Sequence, residues 1–110
     1  MSINLPGITH LQFLVLEALT GGEQAGRELR ALLSAHAVKS SAPAFYQMMG
    51  RLEDADLVEG WYDQKLVGGQ NVKERRYRVT RRGERALADT RAFYVTRLVP
   101  GRAVKRTSNA

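Results

Sequence analysis

Residues 74–87, ERRYRVTRRGERAL, change their period at Thr80. Before it, Arg75, Tyr77 and Val79 alternate with Arg76 and Arg78, the two-residue repeat of a strand. After it, Ala86, Leu87, Phe93, Tyr94 and Leu98 give one apolar side at helical spacing, and Thr80 fits the N-cap. A strand that runs straight into a helix with no loop between them excludes all-helical and all-strand folds. Such a strand needs a partner.

The partner lies just upstream. LVEGWYDQKLV and VKERRYRVT flank GGQN, two runs of strand formers around a turn signal. They predict a two-stranded hairpin with a basic face made by Arg76 and Arg78. Three helices are predicted before it. ITHLQFLVLEAL starts at an N-cap Thr9 and stops at Gly21-Gly22, with apolar residues on two sides. In GRELRALLSAH, Leu29, Leu32, Leu33 and His36 form one stripe. SAPAFYQMMGRLEDADL has Ser41 to cap it and Pro43 in its first turn. Phe45, Met48, Met49 and Leu52 form its apolar stripe, and Ala42, Tyr46, Gln47, Gly50, Arg51 and Asp54 its polar face.

The order helix, helix, short polar link, helix, hairpin, helix predicts a mainly α chain with a β-hairpin: a winged helix-turn-helix of three helices, a two-stranded wing and a C-terminal helix. Residues 1–80 would be the winged-helix DNA-binding domain, 81–99 a dimerisation helix and 100–110 a disordered basic tail. At 110 residues the chain suits one domain, small enough that dimerising would help it bury apolar surface. Phe13 and Leu16 of the first helix with Phe93, Tyr94 and Leu98 of the last are the candidate dimer surface.

Charge is distributed unevenly. Residues 1–72 hold five Lys/Arg against eight Asp/Glu, whereas residues 73–110 hold twelve against three. A basic half favours a polyanion partner; the alternative is a solvated basic surface. Lys39, Ser40, Ser41, Tyr46, Gln47 and Arg51 are the candidate DNA contacts of the third helix and the link before it. Gln47 suits adenine and Arg51 guanine or a phosphate. Lys65, Lys73, Arg75 and Arg76 are those of the wing, with phosphates as their target. The alternatives are that Ser41 only caps, that Arg51 only pairs with an acid, and that Tyr46 packs on the second helix. Arg81, Arg82 and Arg85 crowd a helix N-terminus, where cations are unfavourable, which points to an anion or carboxylate nearby.

Other chemistry is weakly supported. The chain has no cysteine. His10 and His36 lack ligand-spaced partners, and Glu53, Asp54, Asp56 and Glu59 read as a solvated turn. GGEQAGRE lacks the Gly-Lys-Ser/Thr ending of a phosphate loop. No cofactor, metal or enzymatic activity is expected. The longest apolar run is FLVL, and MSINLPG does not read as a signal peptide, so a cytoplasmic location is expected.

FYQMMGRLEDADLVEGWY followed by ERRYRVTRRGERAL resembles the PadR family of bacterial winged-helix transcriptional regulators. The matching residues are Pro43, Tyr46, Met49, Leu52, Glu53, Leu57 and Val58, then Tyr77, Val79, Thr80, Gly83 and Leu87. Gly26-Arg27-Glu28-Leu29 sits where the family has Gly-Tyr-Glu-Leu. Arg27 in place of the aromatic residue, Asp56 in place of a Gly and Ala44-Phe45 in place of Gly-Thr depart from the pattern. The resemblance implies a sequence-specific regulator, a repressor, bound as a homodimer to a pseudo-palindromic operator and answering to a small-molecule effector of unknown identity. A protein-interaction winged helix and a nonspecific nucleic-acid binder are the alternatives.

Overall fold

Apolar residues of four helices and two strands converge on a single core, built from Val15, Leu16, Leu19, Leu29, Phe45, Met49, Leu52, Val58, Tyr77 and Leu87 among others. The computed structural model describes residues 7–36 and 38–98. These form α1 (His10–Leu19), β1 (Gln24–Ala25), α2 (Gly26–Ala35), α3 (Ala42–Asp54), β2 (Val58–Val67), β3 (Gln70–Val79) and α4 (Arg81–Leu98). The strands form one antiparallel sheet in the order β1-β3-β2. The wing is therefore three-stranded at its base. Two residues are too few to show a period, so β1 leaves no trace in the sequence pattern.

Local chemistry sets the helix starts. The Thr9 side chain accepts from Gln12 N while Gln12 Oε1 accepts from Thr9 N, a reciprocal capping box. Ser41 accepts from Ala44 N at 3.2 Å and Pro43 occupies the first turn of α3. The link into α3 is held from α2, since Arg30 Nη2 donates to the Ser40 carbonyl. The stripe on α2 is narrower than its spacing predicts: Leu29 and Leu33 are buried, but Leu32 and His36 are exposed.

The hairpin turn is only Gly68-Gly69, with φ of 58° and 82°. Two consecutive positive φ angles match the right-handed twist of a tight hairpin, and glycine adopts them without strain. Gln70 and Asn71, expected in the turn, instead pair with Val67 and Leu66.

At the other end of the ribbon, α3, β2 and α4 meet. Asp56 leaves α3 with φ of 62°, a conformation that costs most L-residues about 1–2 kcal/mol and aspartate less. The Thr80 hydroxyl donates to the Asp56 carbonyl at 2.7 Å, Thr80 N to the Leu57 carbonyl at 3.1 Å, and Gly83 N to Thr80 Oγ1 at 3.0 Å. A Cβ on Gly83 would collide with the Leu57 carbonyl oxygen. Thr80 and Gly83 thus form one device that seats the start of α4 on the end of α3. Further along, Leu87 and Thr90 are buried where α4 packs, and Arg91 grips Glu17 of α1 through two hydrogen bonds of 2.9 and 2.7 Å.

Candidate nucleic-acid interface

The helix α3 has two unlike sides. Phe45, Met48, Met49 and Leu52 are buried, whereas Ser41, Pro43, Ala44, Tyr46, Gln47, Arg51 and Asp54 are exposed. Gln47 and Arg51 stand one turn apart, adjacent on the helix surface. Among the described residues neither is held by an ion pair or a side-chain hydrogen bond, so both are free to meet something outside. Lys39 is exposed and Ser40 half-buried just before the helix. The Ser41 oxygen is committed to the cap, though its hydroxyl hydrogen still has no acceptor among the described residues.

Tyr46 packs on α2. A Cβ on Gly26 would fall 2.6 Å from its hydroxyl, and its ring meets Phe45 edge-on at 5.0 Å. A side chain at Gly26 would therefore have to push the Tyr46 ring outward. Gly50 is under no such constraint, as a Cβ there would meet nothing within 4 Å.

The wing corrects the charge reading of the sequence. Alternation does put Arg76 and Arg78 on one face and Arg75 on the other, but the supposedly basic face is neutralised. Arg76 Nη1 donates to Glu74 at 2.6 Å and its Nε to Glu23 at 3.2 Å. Arg78 pairs with Glu59 directly across the ribbon. On the opposite face Arg75 donates to Glu53 of α3 at 2.7 Å and lies over the rings of Tyr62 and Tyr77. Arg75 and Arg76, expected to face phosphates, are half-buried partners of carboxylates.

Glu74 is the residue that sequence reasoning missed. It is buried and receives Arg76, Arg27 of α2 at 3.1 Å and, more distantly, Lys65 at 3.9 Å. Burial opposes its charge, yet the Arg76 and Arg27 guanidiniums hold its carboxyl below the ordinary value of 4.5. The signal is in the sequence: Glu74 is the lone acid in a run of cations. Two charged clasps, Arg27–Glu74 and Arg75–Glu53, therefore tie the ribbon to α2 and to α3.

The cations left without an ion pair among the described residues are Arg30 on α2, which donates to the Ser40 carbonyl, Lys39 and Arg51 around α3, Lys73 on the wing and Arg81, Arg82 and Arg85 at the start of α4. Lys73 lies over the Tyr62 ring at 5.5 Å. Arg81, Arg82 and Arg85 line an open cleft with Asp56 and Asp89.

The candidate dimer surface is also redrawn. Leu16 is fully buried in the core of its own chain and has no surface to offer a second copy. Phe13 and Tyr94 are half-buried and meet edge-on at 6.0 Å; Phe93 is half-buried beside Tyr94 at 5.7 Å. With His10, Arg91 and the exposed Val95, Phe13 and Tyr94 line a groove of about 560 Å³ between α1 and α4. The side chain of Leu98 and the basic tail lie outside the described residues.

No protein-family model matches the chain, and no curated protein matches it. Solved structures do. A PadR family transcriptional regulator from Eggerthella lenta is 28% identical, with a TM-score of 0.67 over 88% of this chain and 80% of that one. A PadR family regulator from Clostridium difficile is 17% identical, with a TM-score of 0.68 over 92% and 96%. Bacillus subtilis PadR, solved in complex with operator DNA, is 18% identical, with a TM-score of 0.60 over 73% of this chain and 45% of that one. In fold the chain is a PadR-like winged helix.

Proposed function

We propose that this PadR-like winged helix is a sequence-specific DNA-binding transcriptional regulator, a repressor that works as a homodimer on a pseudo-palindromic operator in the cytoplasm. The observation that carries the reading is the outer face of α3, where Gln47 and Arg51 stand adjacent, exposed and without a partner among the described residues. A glutamine can bond adenine, and an arginine guanine, through paired hydrogen bonds in a major groove wide enough for a helix. Lys39 and Ser40 stand before the helix N-terminus, where free N–H groups suit a phosphate. Lys73, with Lys65 more loosely, gives the wing its share of backbone contact. The likeness in fold to a PadR solved on operator DNA supports the same use of the helix.

The pairing of two copies is supported by the apolar groove of Phe13, Tyr94 and Val95. In such a dimer the two α3 helices would meet successive major grooves about 34–36 Å apart. A small-molecule effector would act by changing that spacing. Among the described residues no helix is long and apolar enough to cross a membrane.

The test is fluorescence anisotropy of the full chain against duplex DNA flanking its own gene, across a salt series, with sedimentation for the assembly state. The expected result is a dimer with affinity of about 10⁻⁸ M or tighter and a steep negative dependence on salt. Equal affinity for every duplex would make it a nonspecific binder. No affinity for any duplex would leave α3 to a protein partner.

A further inference from the structure

The wing extends beyond anything its two clasps need. Every residue from Tyr62 to Lys73 is exposed, and the end of this segment is apolar: Leu66 is 69% exposed, Val67 54% and Val72 42%. Register puts Leu66 beside Asn71 on one face of the ribbon, with Val67 beside Gln70 and Val72 beside Lys65 on the other. Apolar side chains therefore flank both faces. The apex between them is Gly68-Gly69, which carries no side chain and where a Cβ would meet nothing within 4 Å. None of these side chains belongs to the core. Strand propensity alone does not require them, since threonine is as good a strand former without exposing apolar surface.

We infer that the tip of the wing is an apolar wedge that enters the DNA minor groove beside the segment read by α3, Leu66 and Val67 lodging against a base step. The inference rests on the DNA-binding reading above. Charge selects this occupant: beyond the cross-strand pair Asp63 and Glu74, from Gln64 to Lys73, the ribbon holds no carboxylate and two lysines. Lys73 is without an ion pair among the described residues and Lys65 is 3.9 Å from Glu74, a balance complementary to phosphate rails on either side of a groove. Shape agrees, because an apex of bare backbone can enter a groove about 6 Å wide that a turn with side chains would not. Apolar side chains placed there part a base step and bend the duplex, by about 20–90° in proteins that use such wedges. Flexible pyrimidine–purine steps yield most easily, so the wedge adds sequence preference without a hydrogen bond to any base.

The experiment compares the full chain with a variant carrying Leu66→Ser and Val67→Ser, both outside the core, on an upstream duplex with donor and acceptor dyes at its ends. The wild type is expected to shorten the end-to-end distance. The variant is expected to melt at the same temperature, to bind about tenfold more weakly or worse, to leave the duplex straighter, and to keep the same salt slope because no cation is lost. A variant with wild-type affinity and wild-type bend overturns the wedge. So does a variant that sediments differently with its bend unchanged, which would assign the tip to a contact between copies. A wild-type chain that binds duplex but leaves it straight overturns the wedge and spares the DNA reading; one that binds no duplex at all overturns both.

Discussion

The face of α3 and the wing hold the same kind of side chain in opposite states. Arg51 on α3 is exposed and unclaimed by any carboxylate among the described residues, whereas Arg75, Arg76 and Arg78 on β3 each meet one. By charge count the wing is the richer cationic element. By available charge it is not, because three of its arginines are used in fastening the ribbon to Glu23 ahead of β1, to α3 and to itself. The difference teaches that a basic run in a strand is compatible with two opposite roles. A cation presented to solvent can serve a polyanion, while one spent on a neighbouring carboxylate fixes geometry.

The sharpest way to break the comparison is Arg51→Ala. It should weaken binding to the preferred duplex by about 1–3 kcal/mol, measured by anisotropy, and leave thermal stability nearly unchanged. A loss of stability with affinity retained would make Arg51 structural and erase the contrast.

Arg75→Ala should do the reverse. Removing the guanidinium leaves Glu53 without its partner and should cost stability by about 1 kcal/mol in urea unfolding. The slope of log affinity against log salt should not move, since no phosphate contact is lost. Lys73→Ala is the matched opposite: stability is unchanged and the slope flattens by about one. If Arg75→Ala flattened the slope as well, the clasp would not be its main role.

Asp56→Gly probes the joint between the two regions. Glycine at φ of 62° escapes the strain that aspartate bears, so stability should rise by up to about 1 kcal/mol, read as an increase in Tm. A decrease would mean that the aspartate carboxylate contributes more than its backbone costs.

Acid should separate the regions by the smallest margin. Burial raises Glu74, but Arg76 and Arg27 win and hold its folded carboxyl below 4.5, so the unfolded chain binds the more protons just below that pH. The contribution of the clasp is therefore complete above about pH 4.5 and is lost as pH falls through the lower folded value. Glu17, held down by Arg91, behaves in the same direction. Amide exchange along β3 near Glu74 should accelerate on acidification relative to the amides of Met48 and Met49, and Glu74→Gln should remove most of that difference.

What the sequence made legible follows from the range of the interactions involved. Thr9, Ser41 and Thr80 act on backbone groups three residues away, so their caps could be read from spacing alone. The apolar stripe of α3 and the alternation of β3 are equally local. The pairs Arg75–Glu53 and Arg27–Glu74 join residues 22 and 47 positions apart, and no periodicity encodes them. Leu16 and Phe13 stand on an evenly apolar helix whose spacing does not tell them apart. Only the position of α4 decides that Leu16 is sealed and Phe13 half-open. Gln70 and Asn71 read as turn residues by propensity, yet Gly68-Gly69 closes the ribbon without them and both pair within it.

The collision that any side chain at Gly83 would make with the Leu57 carbonyl has a mechanical corollary. The root of α4 is keyed to Leu57, in the short segment that leaves α3 for β2, so the first turn of α4 has no room to slide over that segment. Pressure on the far portion of α4 would then bear on the chain where α3 hands over to the wing.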